Sequence, residues 1–575
     1  CALPISNSYN FKREYATRSF NTVYASFDIW KGIKFASTFS YDFVMNKSRA
    51  WKDPRTSDGD DDNGRFSKDY NDITNMTWSN ILTYQTKIKK KHNLDLLAGY
   101  EINSKESDGL GTTISNFARW DKPEVNNGVV YQSMGGSNST TRIVSYITRA
   151  NYDYDNKYYL GASWRTDGSS RLARENRWGN FWSLSGAWRV SSESFMKPLQ
   201  NWLSDLKLRV SYGVNGTLPS SYYGYMGLSS LTSNYNDNPG ITQSQLKNKE
   251  LTWETNYNFN SGIDLGFFDN RLNVTFEYYV RTTKNLLYSR PLSLATGFSS
   301  YLANIGKLQN KGYELEIRST NIETKDFRWS TSLNLGHNAN KILKLDGDLK
   351  QVTSGTSIHK VGLPYSTYYM IEFAGIDPAD GEPMFYKNTT DENGNLNKET
   401  TKDPRSAEKV ILQCADPTIT GGLGNSISYK WFDLNFNVNF SFGAWNYDGA
   451  AGKLEHGGDG TLNIPIYYRK RWQKEGDETS IERFVVGRSI SMTDYATTRR
   501  LYSGDYVRLK NLTFGFTLPK TWTRKVGIDN IRLYASGNNL LTWAAYDYID
   551  PESGSSPSWD TPPMRTYTFG LEVKF

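Results

Sequence analysis

Asp58, Asp60 and Asp62 stand at alternate positions in the segment SDGDDDNG (57–64), and Asp69 occupies the twelfth position counted from Asp58. Carboxylates spaced in this way suit Ca2+, a hard cation that gathers oxygen ligands. The pattern departs from a calcium loop twice: Asn63 stands where a glycine is expected, and the closing residue is Asp69 rather than a glutamate. A solvated loop tip accounts for the same residues. DPADGE (377–382) has the composition of a plain turn closed by Gly381. The four histidines, His92, His337, His359 and His456, lie far apart and in no metal-binding spacing. No phosphate-binding loop, nucleophile elbow or dinucleotide fingerprint occurs. A carboxylate pair for glycoside hydrolysis meets in space, so 60 scattered acids neither show nor exclude one. The chemistry on offer is recognition rather than bond breaking. No cofactor is expected beyond the Ca2+ reading, and the protein is not expected to be an enzyme.

Aromatic residues supply the recognition surface. Trp120, Tyr131, Tyr222, Tyr223, Tyr225, Tyr368, Tyr369, Trp445, Tyr447 and Trp559 fall in the long segments between strands. Sugar rings lay their C–H groups on aromatic faces, so these ten residues are candidate substrate contacts. The same residues also suit packing against a partner or an aromatic girdle at a membrane interface.

The elements that must position them are strands. Phe432, Leu434, Phe436, Val438, Phe440 and Phe442 alternate with Asp433, Asn435, Asn437, Asn439 and Ser441 without a break. The last residues repeat the pattern: Tyr567, Phe569, Leu571, Val573 and Phe575 are apolar at every second position, and the chain stops on an aromatic residue. Such a strand has one greasy and one wet face. The ending resembles the assembly signal of bacterial outer-membrane barrels. Alternation recurs from end to end and gives roughly 17 strands, most of ~10 residues or more, the length a tilted strand needs to cross a bilayer. No run approaches the ~18 apolar residues of a membrane helix. The fold class is therefore all-β, a large antiparallel transmembrane β-barrel. Tyr (39) outnumbers Phe (27) and Trp (17), as suits chains that meet lipid and water together. Net charge is only +7 with scattered Lys and Arg, so no nucleic-acid partner is expected. Two cysteines, Cys1 and Cys414, make no disulfide scaffold.

Connections sort into two kinds. Short ones fall at 31–32, 89–92, 153–157, 191–204, 268–270, 320–325, 430–431 and 520–529. Long ones fall at about 48–73, 112–141, 167–178, 216–250, 288–303, 344–416, 446–504 and 544–565. The two kinds alternate strictly, as external loops and periplasmic turns do in outer-membrane barrels. With Phe575 on the periplasmic side, an odd strand count places residue 1 outside the cell. Bacterial barrels close with even numbers, so residues 1–575 are expected to be a barrel domain incomplete at its N-terminus. Cys1 then lies on the outer side, the wrong place for an inner-leaflet lipid anchor.

Several segments together resemble the SusC/RagA family of TonB-dependent transporters: LTWETNYNFNSGIDLGFFDNRLNVTFEYYVRTTKNLL (251–287), NIGKLQNKGYELEI (304–317), DPTITGGLGNSISYKWFDLNFNVNFSFG (416–443), GDYVRLKNLTFGFTLPK (504–520) and IRLYASGNNLLTWAAYDYIDPE (531–552). The resemblance implies an outer-membrane barrel of about 22 strands closed by a plug, in Bacteroidota. It also implies a SusD-like surface lipoprotein as lid and TonB as the energy source. Neither the plug nor a TonB box is found in this sequence, so the residues that would meet TonB are not named. The expected cargo is oligosaccharide, with peptide import as in RagA-like members as the alternative. A passive porin and a soluble glycan-binding protein are the rivals from other classes.

Overall fold

The structure is a computed structural model that describes residues 8–236, 238–345, 349–391, 395–458, 464–487, 495–546, 548–553 and 563–575. Seventeen long strands belong to one antiparallel sheet. They are β1 (Phe11–Trp30), β2 (Ile33–Lys52), β3 (Arg65–Ile88), β4 (His92–Phe117), β5 (Gly128–Tyr154), β6 (Tyr158–Ser169), β7 (Trp178–Arg189), β8 (Leu203–Thr217), β9 (Glu254–Phe267), β10 (Leu272–Lys284), β11 (Lys307–Glu323), β12 (Phe327–Lys344), β13 (Ile419–Tyr429), β14 (Phe432–Phe442), β15 (Tyr506–Thr517), β16 (Asn530–Ala544) and β17 (Thr566–Lys574). Among the described residues no helix is long and apolar enough to cross a membrane.

The chain resolves into two compact units. The first comprises residues 1–187, 211–257 and 283–305. In it β1 to β6 pair antiparallel, each with the next in sequence. Register places Val23, Phe39, Trp78, Ile102 and Val144 in one cross-strand row. The row beside it is Thr22, Ser40, Thr77 and Asn103. One face is thus apolar and the other polar because side chains alternate with period two.

The second unit comprises 188–210, 258–282 and 306–575. Here β11 to β17 pair in sequence order. Ile317, Leu333, Leu423, Val438, Leu509 and Leu541 form an apolar row. Arg318, Ser332, Gly424, Asn437, Asn511, Asn538 and Thr566 form a polar one. Gly515 shows why some positions on the polar face carry no side chain. A Cβ there would stand 2.3 Å from Asp433 Oδ1 and 2.7 Å from Arg532 Nη2, displacing an ion pair that closes at 2.8 Å.

Two expected loops are shorter than the sequence suggests. The segment 48–73 shrinks to 53–64 and the segment 112–141 to 118–127, because β2 to β5 run on as paired strands of 20 to 27 residues. Polar and small residues such as those of SMGGSNSTT (133–141) hide strand character when alternation with apolar residues is the signal sought. Tyr131, expected in a loop, consequently lies on β5, largely exposed.

Candidate functional site

The long loops of the second unit build a compact structure of their own. Residues 351–354, 357–360, 367–371 and 409–414 form a four-stranded sheet, and 373–376, 383–386 and 400–401 a three-stranded one. Residues 445–447 pair with 501–503. The loop before β13 and the loop before β15 interlock. Ile371 bridges Thr497, and the Phe373 N–H donates to Thr498 Oγ1 at 3.0 Å. Trp472 Nε1 donates to the Pro378 carbonyl at 3.0 Å, and Arg483 pairs with Glu382 at 2.7 Å. The DPADGE turn lies at this seam. Gly381 takes a left-handed φ of +74°, and a Cβ there would meet the Trp472 ring at 2.5 Å.

Local sequence sets the side chains around this seam. Asp448 caps a short helix, α1 (Gly449–Leu454), accepting the Ala451 N–H at 2.7 Å. Pro465 leads into a 3-10 turn over Ile466–Lys470. Successive residues of such a turn point about 120° apart. Tyr468 is therefore buried while its neighbour Tyr467 is half-exposed. A second 3-10 turn, Thr498–Arg500, sends two adjacent arginines to two different carboxylates. Arg499 donates to Glu482 at 2.5 Å and Arg500 to Glu455 at 3.3 Å. Tyr468 donates to Glu482 at 3.0 Å and Tyr467 to Glu455 at 2.5 Å. Glu482 is wholly buried. Burying such charges is tolerable only because each carboxylate meets both a guanidinium and a phenol. Burial, reinforced by Glu455, holds the Tyr467 phenol far above the usual tyrosine range. Burial and Glu482 do the same to Tyr468.

Above this charged base runs a ladder of tyrosines. Tyr502 and Tyr546 stack with ring centroids 3.7 Å apart and planes 20° from parallel. Tyr546 adjoins Tyr548 at 5.3 Å, and Tyr548 adjoins Tyr467 at 5.5 Å. The Tyr546 hydroxyl donates to Asp448 Oδ2 at 3.1 Å, and burial together with Asp448 keeps that phenol neutral. Tyr548 remains 69% exposed, and Tyr467, Tyr502 and Tyr546 are half-buried, so parts of the ring faces meet solvent while the Tyr467 and Tyr546 hydroxyls are held by carboxylates. An array of neutral phenols held in place by these hydrogen bonds offers stacking faces of fixed orientation.

The sequence candidates fare unevenly. Trp445 and Tyr447 lie half-buried on the 445–447 strand, with Tyr447 paired opposite Leu501 and Asn446 opposite Tyr502. Tyr369 is half-buried, but Tyr368 is only 2% exposed and presents no face. Its residue type and loop position gave no sign that it would be buried on a strand of a small sheet. Trp559 lies outside the described residues. In the first unit Trp120 is exposed, within 5.8 Å of the Arg55 guanidinium. Tyr222 carries Arg171 over its ring at 4.4 Å, and Tyr223 accepts the Thr140 N–H at 3.0 Å. Tyr225 packs on a core of Leu172, Phe181, Val214, Leu251 and Trp253. Tyr467, Tyr502, Tyr546 and Tyr548 were not among the sequence candidates. The signal that marks Tyr467, Tyr546 and Tyr548 is a tyrosine doublet or alternate pair flanked by charges, in PIYYRKR and YDYIDPE, whereas Tyr502 carries no such signal.

The calcium carboxylates are not brought together. Asp58 accepts from Asn10 at 3.1 Å, Asp62 pairs with Arg65, and Asp69 lies on β3 opposite Gly111. Among the described residues no group of three or more His, Cys, Asp or Glu is placed to hold a metal ion. The four histidines keep separate partners: His92 meets the Tyr152 hydroxyl at 2.8 Å, His337 the Thr418 carbonyl, His359 the Tyr365 ring and His456 the Gly458 N–H. Burial pushes the Cys414 thiol up, so it is a poor nucleophile.

A family described as TonB dependent receptor-like, beta-barrel, matches residues 4–540. TonB-dependent receptor P3 of Formosa agariphila is 32% identical over 96% of this chain and 57% of its own length. TonB-dependent receptor SusC of Bacteroides thetaiotaomicron is 30% identical over 75% of this chain and 44% of its own. A solved structure of the RagAB peptide transporter covers the whole chain with a TM-score of 0.88 at 27% identity, and the match takes in 63% of that structure's chain. The chain thus spans about half the length of these relatives, from 44% to 63%.

Proposed function

The chain belongs to the TonB-dependent receptor-like β-barrel family of the outer membrane, and from that premise we propose that the whole protein imports oligosaccharides. This family consists of transporters and receptors rather than enzymes. In the proposal a SusD-like surface lipoprotein covers the external loops, and TonB supplies energy from the periplasm. The single observation that carries the glycan reading is the ladder Tyr502–Tyr546–Tyr548–Tyr467, whose partly exposed ring faces suit sugar rings. The polar face of the second unit adds Asn, Ser and Thr. A cavity there is lined by Asn273, Ser332, Asn435 and Asn437 among others.

One observation favours peptides instead. The polar face also holds paired charges, with Arg209 bonded to Asp264 at 2.8 Å and to Glu277 at 2.7 Å, and Arg318 to Glu316 at 2.5 Å. Exchanging such partners would suit a zwitterionic cargo, and the likeness to the RagAB peptide transporter points the same way.

The two readings part on one experiment. The full-length protein is isolated from outer membranes with whatever lipoprotein accompanies it, and bound cargo is identified by mass spectrometry. Maltohexaose, cellohexaose, xylohexaose and a mixture of decapeptides are then titrated calorimetrically. The expected result is binding of at least one hexaose, weakened about tenfold or more by Tyr546→Ala. A co-purified peptide, with no hexaose bound, replaces the glycan reading by the peptide one. Uptake that persists in cells lacking TonB would remove the energy-coupled reading in favour of a passive pore.

A further inference from the structure

Two of the segments that resemble the family, GDYVRLKNLTFGFTLPK and IRLYASGNNLLTWAAYDYIDPE, meet at one side chain. Arg508 on β15 is 1% exposed, the largest of the fully buried side chains among the described residues. Its Nη2 donates to Asp550 Oδ2 at 2.6 Å, its Nη1 to Glu552 Oε2 at 2.7 Å and its Nε to Thr542 Oγ1 at 3.0 Å. Lys510 reaches Glu552 as well, at 2.7 Å. Asp550 in turn accepts the Glu552 N–H at 2.9 Å with its other oxygen. A guanidinium fork is therefore spread over a strand hydroxyl and two carboxylates of the loop before β17. That loop carries Tyr546 and Tyr548. Among its described residues the Ala545 N–H donates to the Asp505 carbonyl at 3.0 Å, and the Ser553 N–H donates to the Asp550 carbonyl at 2.9 Å.

We infer that Arg508 is a positioning residue, a latch that fixes the described loop residues 545–546 and 548–553 and with them two rungs of the tyrosine ladder. Arginine suits the task because its planar fork holds two acids in fixed directions at once, which a lysine ammonium does not. The latch touches no cargo. It sets where Tyr546 lies between Tyr502 and Asp448, and so sets the spacing of the stacking faces. The inference about the loop stands on geometry alone, while its consequence for cargo rests on the glycan reading above.

The test uses the full-length protein in detergent, with Arg508→Met, Arg508→Lys and the loop-side pair Asp550→Asn with Glu552→Gln. Hydrogen exchange of the amides of Ala545, Glu552 and Ser553 reads the latch directly. Hydroxyl-radical labelling of Tyr546 and Tyr548 reads the ladder. Removing one side of a buried charge pair is expected to speed that exchange about 100-fold or more and to raise labelling, while the amides of β15 and β16 keep their protection. Arg508→Lys is expected to fall between, because it keeps charge and loses the fork. Should Arg508→Met fail to assemble as a heat-resistant barrel band in gels, the loop-side pair decides, since both residues lie outside the strands. Unchanged exchange and labelling in that pair would overturn the inference. Titration of the three hexaoses separates the two readings. Faster loop exchange with weaker hexaose binding supports the latch and the ladder as cargo site together. Faster loop exchange in a protein whose unaltered form binds no hexaose upholds the latch and removes the glycan reading alone.

Discussion

One loop root of the first unit closes on hydrocarbon, and one loop core of the second closes on charge and phenol. In the first, Trp51, Phe66, Ile114 and Phe117 bury one another at the root of loop 53–64, with Trp51 edge-on to Phe117 at 4.9 Å. In the second, Glu455, Glu482, Arg499 and Arg500 occupy the equivalent core of a loop, under Tyr467 and Tyr468. Apolar contacts are non-directional and tolerate exchange among residues of similar volume. A buried ionic network gains little net stability but demands particular partners in particular directions. The first arrangement therefore anchors a loop, whereas the second also fixes the orientation of the groups above it. A binding surface needs the second kind.

The strongest way to break this comparison is to remove one centre from each unit. Glu482→Gln leaves Arg499 buried with a diminished partner and is expected to cost about 3–5 kcal/mol locally. Phe117→Ala is expected to cost a similar amount, about 3–5 kcal/mol, through the cavity it leaves. Hydrogen exchange should show both loops opening. Hexaose titration should separate them, with binding lost in Glu482→Gln and kept in Phe117→Ala. If Phe117→Ala weakens binding as much, orientation by the charged network is not what the cargo reads.

A smaller effect sharpens the contrast within the second unit. Asp448 caps α1 and also accepts from Tyr546. Asp448→Ala is expected to cost about 0.5–2 kcal/mol through the cap and to loosen the stacked pair. Tyr546→Phe removes only the hydrogen bond, worth about 0.5–1.5 kcal/mol, and keeps the ring. Calorimetry should therefore rank hexaose affinity as unaltered protein, then Tyr546→Phe, then Asp448→Ala. Tyr546→Phe ranking last would mean that the hydroxyl, not the face, carries recognition.

These two kinds of loop core were not equally legible in the sequence. Strand alternation gave the fold class and a count of roughly 17 strands, which the sheet matches, because a period of two is written in neighbouring residues. The last strand is a case in point: Tyr567, Phe569 and Leu571 are all exposed along one apolar face. The site was harder. Glu455 and Arg500 are 45 residues apart, and Glu482 and Arg499 are 17 apart, so no local spacing announces either pair. Tyr368 and Tyr546 read alike in sequence, yet one is buried on a strand of a small sheet and the other is half-buried and stacked on Tyr502. Composition found aromatic loops; only tertiary contact sorts anchors from faces.

The least effect, and the one with a sign to fix, is that of pH. Burial holds the phenols of Tyr467, Tyr468 and Tyr546 above the usual range, with Glu455, Glu482 and Asp448 adding to the shift. A group whose folded pKa is raised contributes stability that is complete below its unfolded value, about 10 for tyrosine, and is lost only as pH climbs through the folded value. The ladder is therefore expected to stay neutral, and hexaose affinity to stay flat, up to about pH 10. The acid side has the opposite sign. Hydrogen bonds from Lys402 hold Asp377 and Asp380 below the usual carboxylate range. Their contribution is complete above the unfolded value of about 3.9 and is lost as pH falls through the lower, folded one. At about pH 4 the turn 377–382 should still hold against proteolysis, and it should open only in stronger acid. Titrating hexaose binding and protease cleavage over the same range checks both signs. A fall in affinity centred near the ordinary tyrosine value, absent in Tyr467→Phe, would show that the ladder is solvated rather than supported from beneath. The charged base would then be an anchor like the apolar one in the first unit.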